Sequence, residues 1–534
     1  MPAHLHLRRH WALFAGLIVA LAVWCAVDVS RRARVDPQRP SQHMTDVTVY
    51  TEAGRAFFDG RDPYEVANIR GWKYLYPPLF ALLIAPLSYL TPPWQATAWF
   101  AVSALMCFGS YFECRRLLKV CRIDQVRQRS SGVAEFARIQ FEATSLNSGE
   151  FSYGARRQES LSNAINQRLP FWLIAAATVT AILPALNCLQ RGQMGIALLY
   201  PLLLGLRLII MGRTPLAWMA AGIVLALPIA LKLTPALPVA CVLFVSFVAA
   251  AVAELARVQR ANDGLISGES SGQPGSLPNP AGRGHSWSCA LWSTSGCLAG
   301  SILFFLLIPA SLVGWDKNLA YLNTWYDKVA TKVNDVRTDD FAEKVDSPRN
   351  QSLSNAVFRF GNWVAYEFVG GPDDQVTGKA NGLMPMDAPL VSQILLVVRG
   401  LALLALLGVA IRAGRSSDPL LSGAALGLAC VATLVVSPVA RGHYFVLFLP
   451  AVLFVPLWLI QTGKPGAAFR AAVIPAVLVA LHYVLLKYAG RIGVLGIGTT
   501  LWYFAECANV TFGRGEASQA VDRDEQLLEL SRAA

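Results

Sequence analysis

Apolar runs close to 20 residues long recur along this chain, and a helix of about that length crosses a bilayer. The first run is 11–29, and others follow at 169–189, 193–211, 214–233 and 235–256. More come at 296–314, 388–411, 417–437, 443–461, 468–488 and 492–510, with a further apolar stretch inside 77–112. The expected class is an all-α polytopic membrane protein with about twelve transmembrane helices. Composition agrees: 54% of residues are hydrophobic and 15% charged, with a mean hydropathy of +0.43, beyond the soluble norm.

The formal net charge of +12 suggests a polyanionic partner. The excess Lys and Arg, however, lie mainly at the ends of apolar runs, where positive charge sets topology. Nucleic acid is therefore excluded as a partner, and membrane lipid is the expected surroundings. Arg8, Arg9, Arg213, Arg412, Arg415 and Lys464 are placed in the cytoplasm. That placement favours one net crossing within 77–112, with the Pro77–Leu90 part shallow or re-entrant, over two crossings broken at Thr91-Pro92-Pro93, which would invert every later loop. The N-terminus, HLHLRRH before residues 11–27, resembles a signal peptide. Its apolar run is long for one, and it reads as an uncleaved first span.

Ten cysteines lie mostly in or beside apolar runs, with no C-x-x-C pair. They read as small buried hydrophobes. Segments 122–168 and 259–288 are polar, low in large apolar residues, and expected to be disordered cytoplasmic insertions. Residues 511–534 form a charged tail. Under this topology two large loops, 30–76 and 315–387, face the outside. The first holds TDVTVYTEAGRAFFDGRDPYEVANIRGWKYLYPP, which concentrates Asp, Arg, Tyr and Pro beside the membrane.

Several residues in these loops and in the short links between apolar runs carry two readings. Asp46, spaced helically with Tyr50, is either a helix N-cap or a general base toward a hydroxyl. Gly60-Arg61-Asp62-Pro63-Tyr64 is either a turn or part of a binding surface that uses Asp62 and Tyr64. Tyr74 and Tyr76, before Pro77-Pro78, suit an interfacial belt or the wall of a site. Arg191-Gly192-Gln193 is a tight turn with a snorkelling Arg, or a group for phosphate and sugar hydroxyls. Lys232, between apolar runs, is a functional candidate because such a charge is costly there, or it snorkels to the surface at a helix end marked by Pro235. Asn350-Gln351-Ser352 is a sequon, and Arg359 suits a lipid phosphate or a structural ion pair. In Ser437-Pro438-Val439-Ala440-Arg441-Gly442-His443-Tyr444, Arg441 offers planar recognition of phosphate and His443 a tunable hydrogen bond.

The order D-x-x-x-Y, G-R-D-P-Y, Y-x-Y-P-P, R-G-Q, K-L-T-P, N-Q-S and S-P-x-x-x-x-H resembles glycosyltransferase family 87. The likeness runs from about residue 11 to residue 461, skipping the two insertions. It implies a GT-C-type fold over 1–510, with short amphipathic helices in the first outer loop. It also implies a sugar, with mannose the expected hexose, carried on a polyprenyl phosphate and transferred with inversion to a glycolipid or glycan acceptor outside the cell membrane. Asp46 sits at the position of the family's base. Gln193, Lys232, Asn350 and His443 match family motifs, and Tyr50, Asp62, Tyr64, Tyr76, Arg191, Gln351, Arg359 and Arg441 complete the expected substrate-binding set. Family members often carry S-P-x-S-W-x-H-H, whereas here Arg441 stands for the tryptophan and Tyr444 for the second histidine.

A single carboxylate fits direct inversion. The leaving lipid phosphate carries one or two charges, so no metal or other cofactor is required. Asp339-Asp340 and Asp373-Asp374 are the only weak metal candidates. The competing reading is a lipid or lipid-linked sugar transporter without chemistry, which predicts internal repeats and half-helices at mid-membrane. No obvious repeat is found.

Overall fold

A computed structural model describes residues 3–143, 169–266, 287–330, 350–360 and 389–513, apart from positions 33, 34, 37, 70, 358, 417 and 491. The acidic pairs 339–340 and 373–374 and most of the charged tail lie outside the described residues, as do 144–168 and 267–286 of the two insertions.

The described chain is helical except for a small antiparallel hairpin of β1 (Val35–Asp36) and β2 (Arg39–His43). In hydrocarbon each backbone polar group must be satisfied within its own segment, which makes helices out of the apolar runs. In order these are α1 (Ala3–Arg32), α2 (Val47–Asp59), α3 (Pro78–Ile84) and α4 (Pro92–Ala143). Next come α5 (Phe171–Arg191), α6 (Gly195–Met211), α7 (Pro215–Leu231), α8 (Ala236–Ile266) and α9 (Trp287–Val313), the last containing a π turn. The chain continues through α10 (Trp315–Trp325), α11 (Pro389–Arg415), α12 (Pro419–Val436), α13 (Phe448–Gln461), α14 (Pro465–Val484) and α15 (Val494–Phe512).

Seven helical segments among the described residues are long and apolar enough to cross a membrane, and three more apolar ones are shorter. The protein is thus an integral multi-pass membrane protein. The expected count of about twelve is not reached on length and hydropathy. Helices α6 and α7 stop at 17 residues each, the lower edge of what spans a bilayer. Expected spans 11–29 and 492–510 do form helices, α1 and α15, outside the seven. The first insertion begins inside α4, which continues to Ala143.

Residues 77–112 break where the two prolines at 92 and 93 follow Thr91. Helix α3 and a 3-10 turn end at Tyr89, and α4 restarts at Pro92. A segment of 12 residues, Pro78–Tyr89, spans roughly 18 Å as a helix, too short to cross. It packs instead against α2.

Two cores hold the molecule. The larger surrounds α12, whose residues from Leu420 to Val435 are all buried, as a helix apolar on every side requires. Helices α9 and α11 leave most of their apolar surface outside it, the face a lipid-contacting helix presents. The second core is aromatic. Tyr50, Phe57, Tyr64, Tyr74, Phe80 and Trp99 pack α2 and its following loop onto α3 and the start of α4. The Tyr50 ring meets Tyr76 at 5.3 Å and Phe80 at 4.9 Å, both edge-on, an arrangement worth about 0.5–1.5 kcal/mol per pair beyond area burial. This core fixes the position of the residue that opens α2, Asp46. All ten cysteines are free and nine are buried.

Candidate active site

Asp46 precedes α2 with its backbone near helical values and makes no side-chain capping bond. The N-cap reading therefore does not describe what its carboxylate does. Oδ2 accepts from the Gln193 side-chain Nε2, and the backbone N donates to the Arg191 carbonyl at 3.1 Å. The residue is buried.

Gly192 makes this meeting possible. Its φ of +69° ends α5 in the left-handed region, which glycine enters without steric penalty. A Cβ there would lie 2.2 Å from Val47 Cγ2, so the R-G-Q turn and the start of α2 touch backbone to side chain. Trp99 Nε1 donates to the Gly192 carbonyl at 2.8 Å, and Gln193 emerges facing Asp46.

Arg441 interacts electrostatically with this carboxylate from a distant element, and Lys232 stands beside Tyr76 and Tyr444. Lys232 follows the last residue of α7, and its Nζ donates to the Tyr444 hydroxyl at 2.7 Å. It also lies 3.9 Å from the Tyr444 ring centroid and 5.4 Å from that of Tyr76. Tyr444, which stands where the resemblance expects a second histidine, is thus the lysine's acceptor. The Arg441 guanidinium stacks 3.6 Å over Trp72. Burial pushes its pKa below the usual arginine value, while Tyr444, Asp46, Tyr76 and Tyr50 oppose that shift. Asp46 and Arg441 therefore share one low-dielectric region, where opposite charges interact more strongly than in water. The Tyr50 and Tyr76 hydroxyls meet at 3.2 Å within it.

The remaining expected residues hold loops together. Asp62 accepts from the Tyr64 backbone N at 2.8 Å, as a turn residue does, and pairs with the distant Lys328 at 3.0 Å. The Tyr64 hydroxyl donates to the Tyr76 carbonyl at 3.3 Å. Asn350 Oδ1 accepts from Ala440 N at 3.0 Å and Ser352 N at 3.1 Å. Gln351 Nε2 and Arg359 Nε both donate to the Gly490 carbonyl, at 3.1 and 3.0 Å. These three residues fasten the second loop beneath Arg441.

A cavity of about 90 Å³ opens behind Arg441. Arg191, Arg441 and His443 line it together with Asn187, His482 and Tyr483. The last three were not singled out by sequence. The available signal was an ionisable histidine inside the apolar run 468–488, which is a functional candidate for the same reason as Lys232.

Residues 74–258 match the model of glycosyltransferase family 87. The matched region includes the Y-x-Y-P-P, R-G-Q and K-L-T-P motifs, while Asp46 and Arg441 lie outside it. No curated protein matches the chain. Among solved structures, the crystal structure of ArnT from Cupriavidus metallidurans bound to undecaprenyl phosphate is similar at a TM-score of 0.36 and 15% identity, covering 96% of this chain and 79% of that one.

Proposed function

We propose that the chain, which matches the model of glycosyltransferase family 87 over residues 74–258, is a glycosyltransferase that moves a hexose, mannose, from a polyprenyl-phosphate donor to an acceptor hydroxyl. The reaction takes place on the extracytoplasmic face of the cell membrane, on a GT-C-type fold, with inversion at the sugar carbon. The observation that carries this reading is a buried carboxylate, Asp46, held by Gln193 and within electrostatic reach of Arg441, three residues far apart in the chain.

In the proposed step Asp46 takes the proton of the acceptor hydroxyl as its oxygen attacks C1 of the sugar. The bond between C1 and the phosphate oxygen breaks on the opposite face, and the phosphate leaves with the electron pair. Arg441, His443, Lys232 and Arg191 stabilise the charge gathering on that phosphate, the electrostatic part of catalysis. Tyr50 and Tyr76 present hydroxyls toward the sugar. The acceptor is a glycolipid or glycan, and the polyprenyl tail lies along the apolar helices.

Purified protein incubated with a panel of polyprenyl-phosphate sugars and lipid-extract acceptors tests the proposal. A product heavier than the acceptor by one hexose is expected from the mannose donor. Formation of no glycosylated product from any donor would overturn the reading.

A further inference from the structure

The cavity behind Arg441 has a feature that a membrane-protein interior does not tolerate without a ligand. His443 and His482 are almost completely buried, and His443 Nε2, His482 Nδ1 and Asn187 Oδ1 have no hydrogen-bond partner. Unpartnered buried polar atoms are costly, and several around one void mark a polar occupant. Arg191 and Arg441 on the same walls give that occupant a negative charge. The backbone also leaves it room. A Cβ on Gly442 would sit 2.9 Å from the Tyr483 hydroxyl and 3.2 Å from His482 Nε2, so any other residue would intrude on the space.

We propose that this cavity binds a phosphate monoester in preference to a diester, and that His482 and Tyr483 are its binding residues from α14. The preference follows from hydrogen-bond chemistry. The monoester leaves as a dianion whose three free oxygens accept from guanidinium, imidazole and phenol, and once it takes up a proton from water its P–OH can also donate to Asn187 Oδ1. A diester has no proton to give and one fewer free oxygen. Resting on the transferase reading above, the monoester is the polyprenyl phosphate left after the sugar departs. The cavity then holds the leaving group more tightly than the intact donor, and such differential binding accelerates a reaction.

The test measures binding of three probes to the detergent-purified full chain: farnesyl phosphate, its methyl diester and inorganic phosphate. The monoester is expected to bind at least ~10-fold more tightly than the diester, the scale of a hydrogen bond to a charged group. His482→Gln and Tyr483→Phe should each weaken the monoester about tenfold. Both should leave diester affinity within about threefold, which also reports that the variants fold. Gly442→Ala should erase the preference. Equal binding of the two esters by the unaltered protein would overturn the proposal, as would unchanged monoester binding in both α14 variants. Inorganic phosphate bound as tightly as farnesyl phosphate would overturn the leaving-group assignment by making free phosphate the occupant. A monoester preference without sugar transfer from any donor would leave the site standing and sink the transferase reading. Transfer without the preference would do the reverse.

Discussion

Gln193 donates a side-chain N–H to the Asp46 carboxylate although 147 positions separate them in the chain. The two meet because Gly192 turns sharply between α5 and α6 and lets Val47 approach. Replacing Gln193 by Leu leaves the buried carboxylate without that donor, a loss of about 1.5–3 kcal/mol for a hydrogen bond to a charged group. The expected result is a ~10- to 100-fold fall in kcat, read by initial rates of sugar transfer at saturating donor.

Gly192→Ala should be harmful even though alanine adds only a methyl group. The positive φ strains any residue with a Cβ by ~1 kcal/mol or more. The contact with Val47 at 2.2 Å then forces α2 away from the turn. Thermal unfolding of the purified variant should occur several degrees lower, and transfer should fall together with it.

Much of the helical scaffold was legible because the bilayer leaves an apolar run of that length few alternatives. The runs 169–189 and 417–437 became α5 and α12 within two residues at each end. What the sequence did not disclose is pairing across distance. Nothing near Arg441 announces that Trp72 will lie under its guanidinium. The sequence left Asp62 between a turn and a binding surface; its bond to Tyr64 N is that of a turn, and its pair with Lys328 is a distant contact. His482 and Tyr483 escaped notice because they sit in a run whose average hydropathy already accounted for it. Asp46 was readable as an isolated carboxylate at a helix start, but its lack of a capping bond needed coordinates.

Acid should weaken the first loop through His43. Burial lowers its pKa from the usual 6.5 to about 4, opposed only by the Gln95 side chain. The unfolded chain takes up that proton as pH falls below 6.5, whereas the folded chain resists until about 4. Stability is therefore fully present above the higher value and falls as pH drops through the window, by about 3 kcal/mol in all. Thermal unfolding scans between these two pH values should show the decline, and His43→Gln should flatten it.

Tyr444→Phe removes the hydroxyl that accepts from Lys232 at 2.7 Å while keeping the ring beneath the ammonium. An unpaired buried donor costs roughly 1–3 kcal/mol, and the lysine is expected to shift away from the site. Transfer should fall about tenfold. Tyr444→His, which restores the residue family members often carry, should retain more activity than Phe because imidazole can accept the same proton. Parallel kinetics of the two variants give the comparison.

The proposed transfer depends on Asp46 as the base. Its most direct test is the single-turnover rate of sugar transfer by Asp46→Asn protein in proteoliposomes, with donor affinity measured on the same preparation. Asparagine nearly matches the size of aspartate and still meets Gln193, but it cannot accept the acceptor's proton. A rate lower by ~10³ is expected, within the range that general-base catalysis supplies, with donor affinity close to that of the unaltered protein. Transfer at a near-normal rate would contradict the account.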